Sequence, residues 1–148
     1  MIRSSHDRRA APPLAELEGG FDEREGTVKY IRIYSDPVGE SHFEDVETQF
    51  NPVNFAPPAP PVQTAIPMPA EQVVLLTLPP GFYADWHPAP RRQLFLQLSG
   101  QIEVGVSDGE TRRFGAGDVV LGEDVSGKGH TIRVLSTADA LGAIVQLA

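Results

Sequence analysis

From Glu71 onward the apolar positions fall in short runs, each closed by turn residues. "QVVLLTL" (72–78) is a continuous aliphatic run that ends at "PPGF". "RRQLFLQLS" (91–99) alternates, with Gln93, Phe95 and Gln97 on one side and Leu94, Leu96 and Leu98 on the other. "QIEVGV" (101–106) follows across Ser99-Gly100. "SDGE" is an Asp-Gly hairpin turn, which supplies the positive φ such turns need. "TRRF", the turn "GAGD", then "VVL", "HTIRVL" and "LGAIVQL" complete the series. No stretch after residue 70 has a helical period. Strands spaced by roughly 8–12 residues with turn signals between them predict a sandwich or barrel.

The first half reads differently. Met1 to about Gly20 is charged and small, and "AELEGG" is too short to hold a helix alone, so residues 1–26 are expected to be a disordered arm. "TVKYIRIYSD" carries Val28, Tyr30 and Ile33 and predicts a strand. "DPVGES" is a turn, and the mixed pattern of "HFEDVETQF" suits an edge strand. Asn51 to Pro69 holds seven prolines. Neither a helix nor a central strand tolerates that density, so this segment reads as an extended strap over the domain. Its PxxP spacings (Pro57 to Pro60, Pro58 to Pro61) also suit an SH3-type ligand. Val53, Phe55, Val62 and Ile66 favour a strap packed on its own domain.

Composition narrows the function classes. The 148 residues suggest one domain with a real core. The chain has no cysteine, which removes disulfides, thiolate metal sites and cysteine nucleophiles. A net charge of −8 opposes phosphate backbones, so nucleic acid is not an expected partner. No apolar run approaches the roughly 18–20 residues of a membrane span, and no apolar stretch marks a secretory signal. A soluble, cytoplasmic protein is expected.

Two motifs in the strand-rich half then stand out. Gly81 is followed after five residues by His87, with Ala89 two positions on, Gln93 after three more, and Gly100 after a further six. Gly109 is followed after five residues by Gly115, then Gly117, and a loop ending "GKGH" at His130. This succession resembles the two motifs of the cupin superfamily over residues 71–148. "SHFEDVE", "DWHPAPRRQ", "SDGETRRFG" and "EDVSGKGH" together look like one small bacterial family of cupin-domain proteins, which carries the likeness back to about residue 27. The resemblance implies an all-β, cupin-type double-stranded β-helix, or jelly-roll barrel, over 27–148, with an N-terminal strand and the proline-rich strap. It implies no particular reaction.

In metal-binding members two histidines and a glutamate of the first motif join a histidine of the second. Here His87 and His130 keep their places, Ala89 stands for the second histidine and Gln93 for the carboxylate. Fe, Mn, Ni or Zn suit such donors, but an amide brings no charge to offset the ion. A further ligand would have to come from His42, Glu44, Asp45 or Asp85. Two readings stay open: a metal held by His87, Gln93 and His130, or a metal-free polar pocket in which His87 and His130 act as general acid and base.

The resemblance turns Gln93 to the barrel interior. Strand alternation then adds Arg91, Phe95 and Gln97 as ligand contacts, with Arg91 either clamping an anion or pairing with surface acids. Leu94, Leu96 and Leu98, with Ile102, Val104 and Val106 across the hairpin, are expected on an outer apolar face, covered by the N-terminal strand, the strap or a second subunit. A homodimer is expected. Trp86, with Phe82 and Tyr83, is an aromatic wall for a ligand or barrel packing, and Tyr83 is a candidate proton donor. His42, Glu44, Asp45 and Glu47 form either a ligand cluster or a solvated edge.

Gly122, Gly127 and Lys128 match the start of a P-loop, but Gly129 replaces the Ser or Thr, Glu123 and Asp124 would repel phosphate, and a strand follows. Ser99, Ser107 and Ser126 sit in turn chemistry without a nucleophile elbow. The expected function is a small-molecule enzyme of lyase, isomerase or oxygenase type, acting on a small organic acid or aromatic compound. The alternative is a non-catalytic small-molecule sensor.

Overall fold

A computed structural model describes residues 21–22, 27–65 and 67–148. Thirteen strands are described: β1 (Phe21–Asp22), β2 (Thr27–Ser35), β3 (Ser41–Gln49), β4 (Asn51–Val53), β5 (Val62–Thr64), β6 (Ala70–Leu78), β7 (Tyr83–His87), β8 (Gln93–Ser99), β9 (Ile102–Val106), β10 (Thr111–Phe114), β11 (Val119–Glu123), β12 (His130–Val134) and β13 (Ala140–Leu147). There is no helix among the described residues.

β6 to β13 form two facing sheets. One runs β11-β8-β13-β6, the other β10-β9-β12-β7. With the eight strands lettered B to I, those orders are G-D-I-B and F-E-H-C, the two sheets of a jelly roll. The fold is therefore a double-sheet jelly roll, the architecture that the sequence motifs imply. β2 extends the first sheet by pairing parallel with β11, and β3 closes that side as an edge strand on β2.

The inner faces meet over a core of Ile33, Phe43, Ile102, Val106, Phe114 and Val134. These residues are apolar, and their burial is the main driving force for joining the sheets. The same space widens at one end into a cavity of about 310 Å³.

Four expectations change. Phe21–Asp22, inside the expected arm, pairs with Val28 and Thr27; the rest of 1–26 lies outside the described residues. Tyr83–His87 is a strand with no counterpart among those read from the sequence. The proline segment is not a strap: β4 and β5 pair as a short hairpin, and every residue from Asn51 to Gln63 is exposed. Proline lacks the N–H needed to extend a ladder, so the pairing stops after three residues on each side.

The fourth concerns Ile102, Val104 and Val106. They are buried in the interior, not on an outer face. β8 and β9 do not form a hairpin; the chain crosses from one sheet to the other between them. Changing sheets inverts which parity faces inward. The crossing turns on Gly100, whose φ is +76° and where an added Cβ would stand 2.7 Å from the Cα of Ala140.

Candidate functional site: an apolar cavity with a histidine pair

The cavity lies between the sheets, and Phe82, Phe95, Val104, Ile132 and Ile144 are among its apolar walls. Its polar groups are His87, His130, Gln93 and Gln146. His87 ends β7 and His130 begins β12, directly opposite in register. Their ring centroids are 4.6 Å apart, with a tilt of 55°.

Each imidazole is oriented by its Nδ1. In His87 this atom is 2.6 Å from the carbonyl oxygen of Asp85. A carbonyl only accepts, so Nδ1 carries the proton, and the Nε2 of the neutral ring keeps its lone pair. In His130, Nδ1 is 2.6 Å from Oδ2 of Asp124. Asp124 is fully buried, and its Oδ1 has no hydrogen-bond partner. Such a carboxylate favours a proton on Nδ1 and directs Nε2 to its opposite side.

The loop between β11 and β12 makes this geometry. Ala89 N–H donates to the Asp124 carbonyl at 2.9 Å. Lys128 N–H donates to the Gly39 carbonyl, and Ser41 Oγ to the Gly129 carbonyl at 2.6 Å. Gly129 has a φ of +72°, and an added Cβ would lie 2.0 Å from the His87 carbonyl oxygen. Only glycine lets the loop come this close to β7 and bring the two histidines together. The P-loop-like spacing thus belongs to a structural loop. Glu123 pairs with Arg32 and Arg92, at 2.6 and 2.8 Å, and those guanidiniums hold its carboxyl below the usual value against the opposing effect of burial.

The expected site residues separate. His87, His130, Gln93 and Phe95 line the cavity. Gln97 is buried beyond it, where its Nε2 donates to the Ser99 carbonyl at 2.7 Å. Arg91 precedes the first residue of β8; it is exposed and pairs with Glu71. Tyr83 and Trp86 are each 50% exposed and do not line the cavity; the guanidinium of Arg133 lies 5.3 Å from the Tyr83 ring centroid. The candidate extra ligands are also elsewhere. His42 bridges Asp36 and Asp108, Glu44 pairs with Arg32, Asp45 with Arg112, and the Asp85 carboxylate accepts from Trp86 N–H.

Asp124 is the residue that sequence reasoning missed. Its only sequence signal is an acid six positions before His130, in a turn-rich loop that also carries the P-loop-like spacing.

The cavity donors do not fit a resident divalent ion. Among the described residues no group of three or more His, Asp or Glu is placed to hold one. Gln93 and Gln146 are neutral, and the Asp124 carboxylate is engaged behind His130.

The fold and site define a double-sheet jelly roll with a ligand-sized cavity between its sheets. No family model matches the chain, and no curated protein matches it. Among solved structures it is similar to a Cupin 2 conserved barrel domain protein from Salinispora arenicola, at 22% identity over 68% of this chain and 76% of that one, with a TM-score of 0.45. The Cnp3 cupin domain of Schizosaccharomyces pombe has 15% identity over 83% of this chain and 85% of its own, with a TM-score of 0.44. A conserved protein of unknown function from Streptococcus pyogenes has 21% identity and a TM-score of 0.41; the match covers 51% of this chain and 61% of that one, so this chain spans less than two thirds of it.

Proposed function

We propose that the protein binds a small molecule in the cavity and acts on it by acid–base chemistry, with His130 as the proton carrier and His87 as its partner. The observation that supports this reading is the His130–Asp124 contact at the polar side of an otherwise apolar cavity. A neutral His130 accepts a proton at Nε2, and the buried carboxylate behind Nδ1 compensates the imidazolium that forms. His87 offers a second Nε2 close by. Phe95 and Phe82 supply apolar contact, and Gln93 orients the ligand. Arg91, Tyr83 and Trp86 take no part, because they stand outside the cavity.

The test is a fragment screen by NMR that follows the ring resonances of His87 and His130, with turnover assays on each binder. Binders are expected to shift both rings, and His130→Gln is expected to abolish turnover while the barrel stays folded. If His87 and His130 variants merely weaken binding, the protein is a non-catalytic small-molecule sensor. If no compound shifts either ring, the reading fails.

We also infer a homodimer. The outer face of the first sheet exposes Val73 (63%), Leu75 (72%) and Leu98, and the β4–β5 hairpin exposes Phe55 (74%), Val53 and Val62. Two uncovered apolar surfaces in one chain are met by pairing two copies, the hairpin of each on the sheet face of the other. A dimer by sedimentation is expected, with Leu75→Glu and Phe55→Glu each shifting it to monomer. A monomer at all concentrations overturns this arrangement.

A further inference from the structure

Among the described residues, the cavity wall contains no Lys, Arg, Asp or Glu. Register places Gln72, Gln146 and Gln93 side by side on β6, β13 and β8. Gln72 Nε2 donates to Gln146 Oε1. Gln146 Nε2 donates to Gln93 Oε1 at 3.4 Å. The amides therefore point one way, and the row ends on the Gln93 amide nitrogen, which has no protein partner among the described residues. Gly122 lies opposite Gln93 on β11 and puts no side chain there. Among the described side chains that line the cavity, one amide donor and two imidazole Nε2 atoms are thus without a partner.

We propose that the substrate is a neutral, enolisable carbonyl compound, apolar apart from its one oxygen, and that the reaction is proton transfer at the carbon beside the carbonyl. This rests on the acid–base reading of His130. The Gln93 N–H donates to the carbonyl oxygen. His130 Nε2 takes the α-proton; the C–H electron pair becomes the C=C bond, and the C=O π pair moves to oxygen, where the Gln93 donor stabilises it. The proton then returns from Nε2 to the same carbon, or to the far end of a conjugated system. Atoms and electrons balance without a co-reactant. The His130 imidazolium formed midway faces Asp124.

A carboxylate substrate fits poorly. It would lose its hydration in an apolar cavity and meet no guanidinium or ammonium there. Arg91 is on the outer surface with Glu71, and a protonated His130 is already compensated by Asp124.

The test uses the full chain in D2O with 1-indanone as the probe. NMR follows the loss of its C2 proton signal, and titrations compare its binding with that of indane-1-carboxylate. The protein is expected to accelerate exchange at least tenfold over the same concentration of free imidazole. His130→Gln is expected to remove the acceleration, and Gln93→Leu to cut it by about 10²-fold while 1-indanone still binds. Should His130→Gln fail to fold, the neutral pair His130→Gln with Asp124→Asn replaces it. The proposal is overturned if 1-indanone binds saturably without faster exchange, if the carboxylate binds more tightly, or if neither binds. Failure of the broader reading is distinguishable, because then no fragment shifts the His87 and His130 rings.

Discussion

Nδ1 of His130 lies 2.6 Å from a carboxylate oxygen of Asp124, a residue with no solvent exposure. The other oxygen of that carboxylate has no partner. His130 is therefore its only side-chain contact among the described hydrogen bonds. Removing the imidazole leaves the carboxylate buried and unpaired. His130→Ala is expected to cost about 3–5 kcal/mol of stability. Asp124→Asn, which removes the charge but keeps the shape, should cost about 1–3 kcal/mol. Combining His130→Ala with Asp124→Asn should recover part of the loss. Urea unfolding of the three variants measures this; additive losses would refute a coupled pair.

His42 gives stability a pH dependence of its own. Its Nε2 is 2.7 Å from Asp36 and its Nδ1 is 2.9 Å from Asp108. A neutral ring has only one N–H, so serving both carboxylates needs the imidazolium. Its hydrogen bond to Asp36 first, then that to Asp108, raises His42 above its ordinary 6.5. Its contribution is whole below pH 6.5 and is lost as pH rises through the raised value. The carboxylates run the other way. The His42 hydrogen bond lowers Asp36, and a backbone hydrogen bond from Glu110 leads the causes that lower Asp108. Their contribution is present above 3.8 and is lost as pH falls through the lowered values. The Tyr34 ring lies tilted beside that of His42, and Arg112 also bears on Asp108. As pH rises from about 6 through the raised value, the wild-type urea midpoint should therefore fall relative to that of His42→Gln. Parallel curves would count against the bridge.

Gly129 and Gly109 make a controlled comparison. Both have positive φ, +72° and +99°, but an added Cβ meets nothing within 4 Å at Gly109 and the His87 carbonyl oxygen at Gly129. Gly109→Ala should cost about 1 kcal/mol for conformation alone. Gly129→Ala should cost at least about 1–3 kcal/mol more and change the His87 and His130 ring signals. Equal losses would mean the loop yields freely.

Elemental analysis of the purified, untagged protein is expected to find transition metal far below one equivalent, because two imidazoles with neutral amides leave the ion's charge unbalanced. Near-stoichiometric Fe, Mn, Ni or Zn that disappears in a variant lacking both His87 and His130 would restore the metal reading.

Apart from Tyr83–His87, the strands of the second half were legible because most are bounded by glycine, proline or an Asp-Gly turn, and because a half-buried strand must alternate. Gln93 and Phe95 could be placed on the inner wall by that alternation once the cupin likeness set the direction of Gln93. The alternation did not carry to Arg91, which precedes the strand, nor to Gln97, which lies past the cavity on the same face. Both positions depend on where the strand begins and how far the cavity reaches, and neither length is encoded in a period of two.

The sequence by itself determined an all-β chain, the positions of most strands and turns, and the absence of thiol chemistry, since these depend on local conformation and residue type. The tertiary structure alone decided that Ile102 and Val104 face inward, that the proline segment forms a separate hairpin, and that Asp124 lies behind His130. The first follows from a crossing between sheets; the hairpin and the Asp124–His130 contact join residues close in sequence, but the loop that carries Asp124 is held by distant segments at Ala89 and Gly39. A jelly roll brings such segments together through sheet order, and no local pattern records which strand a loop will meet.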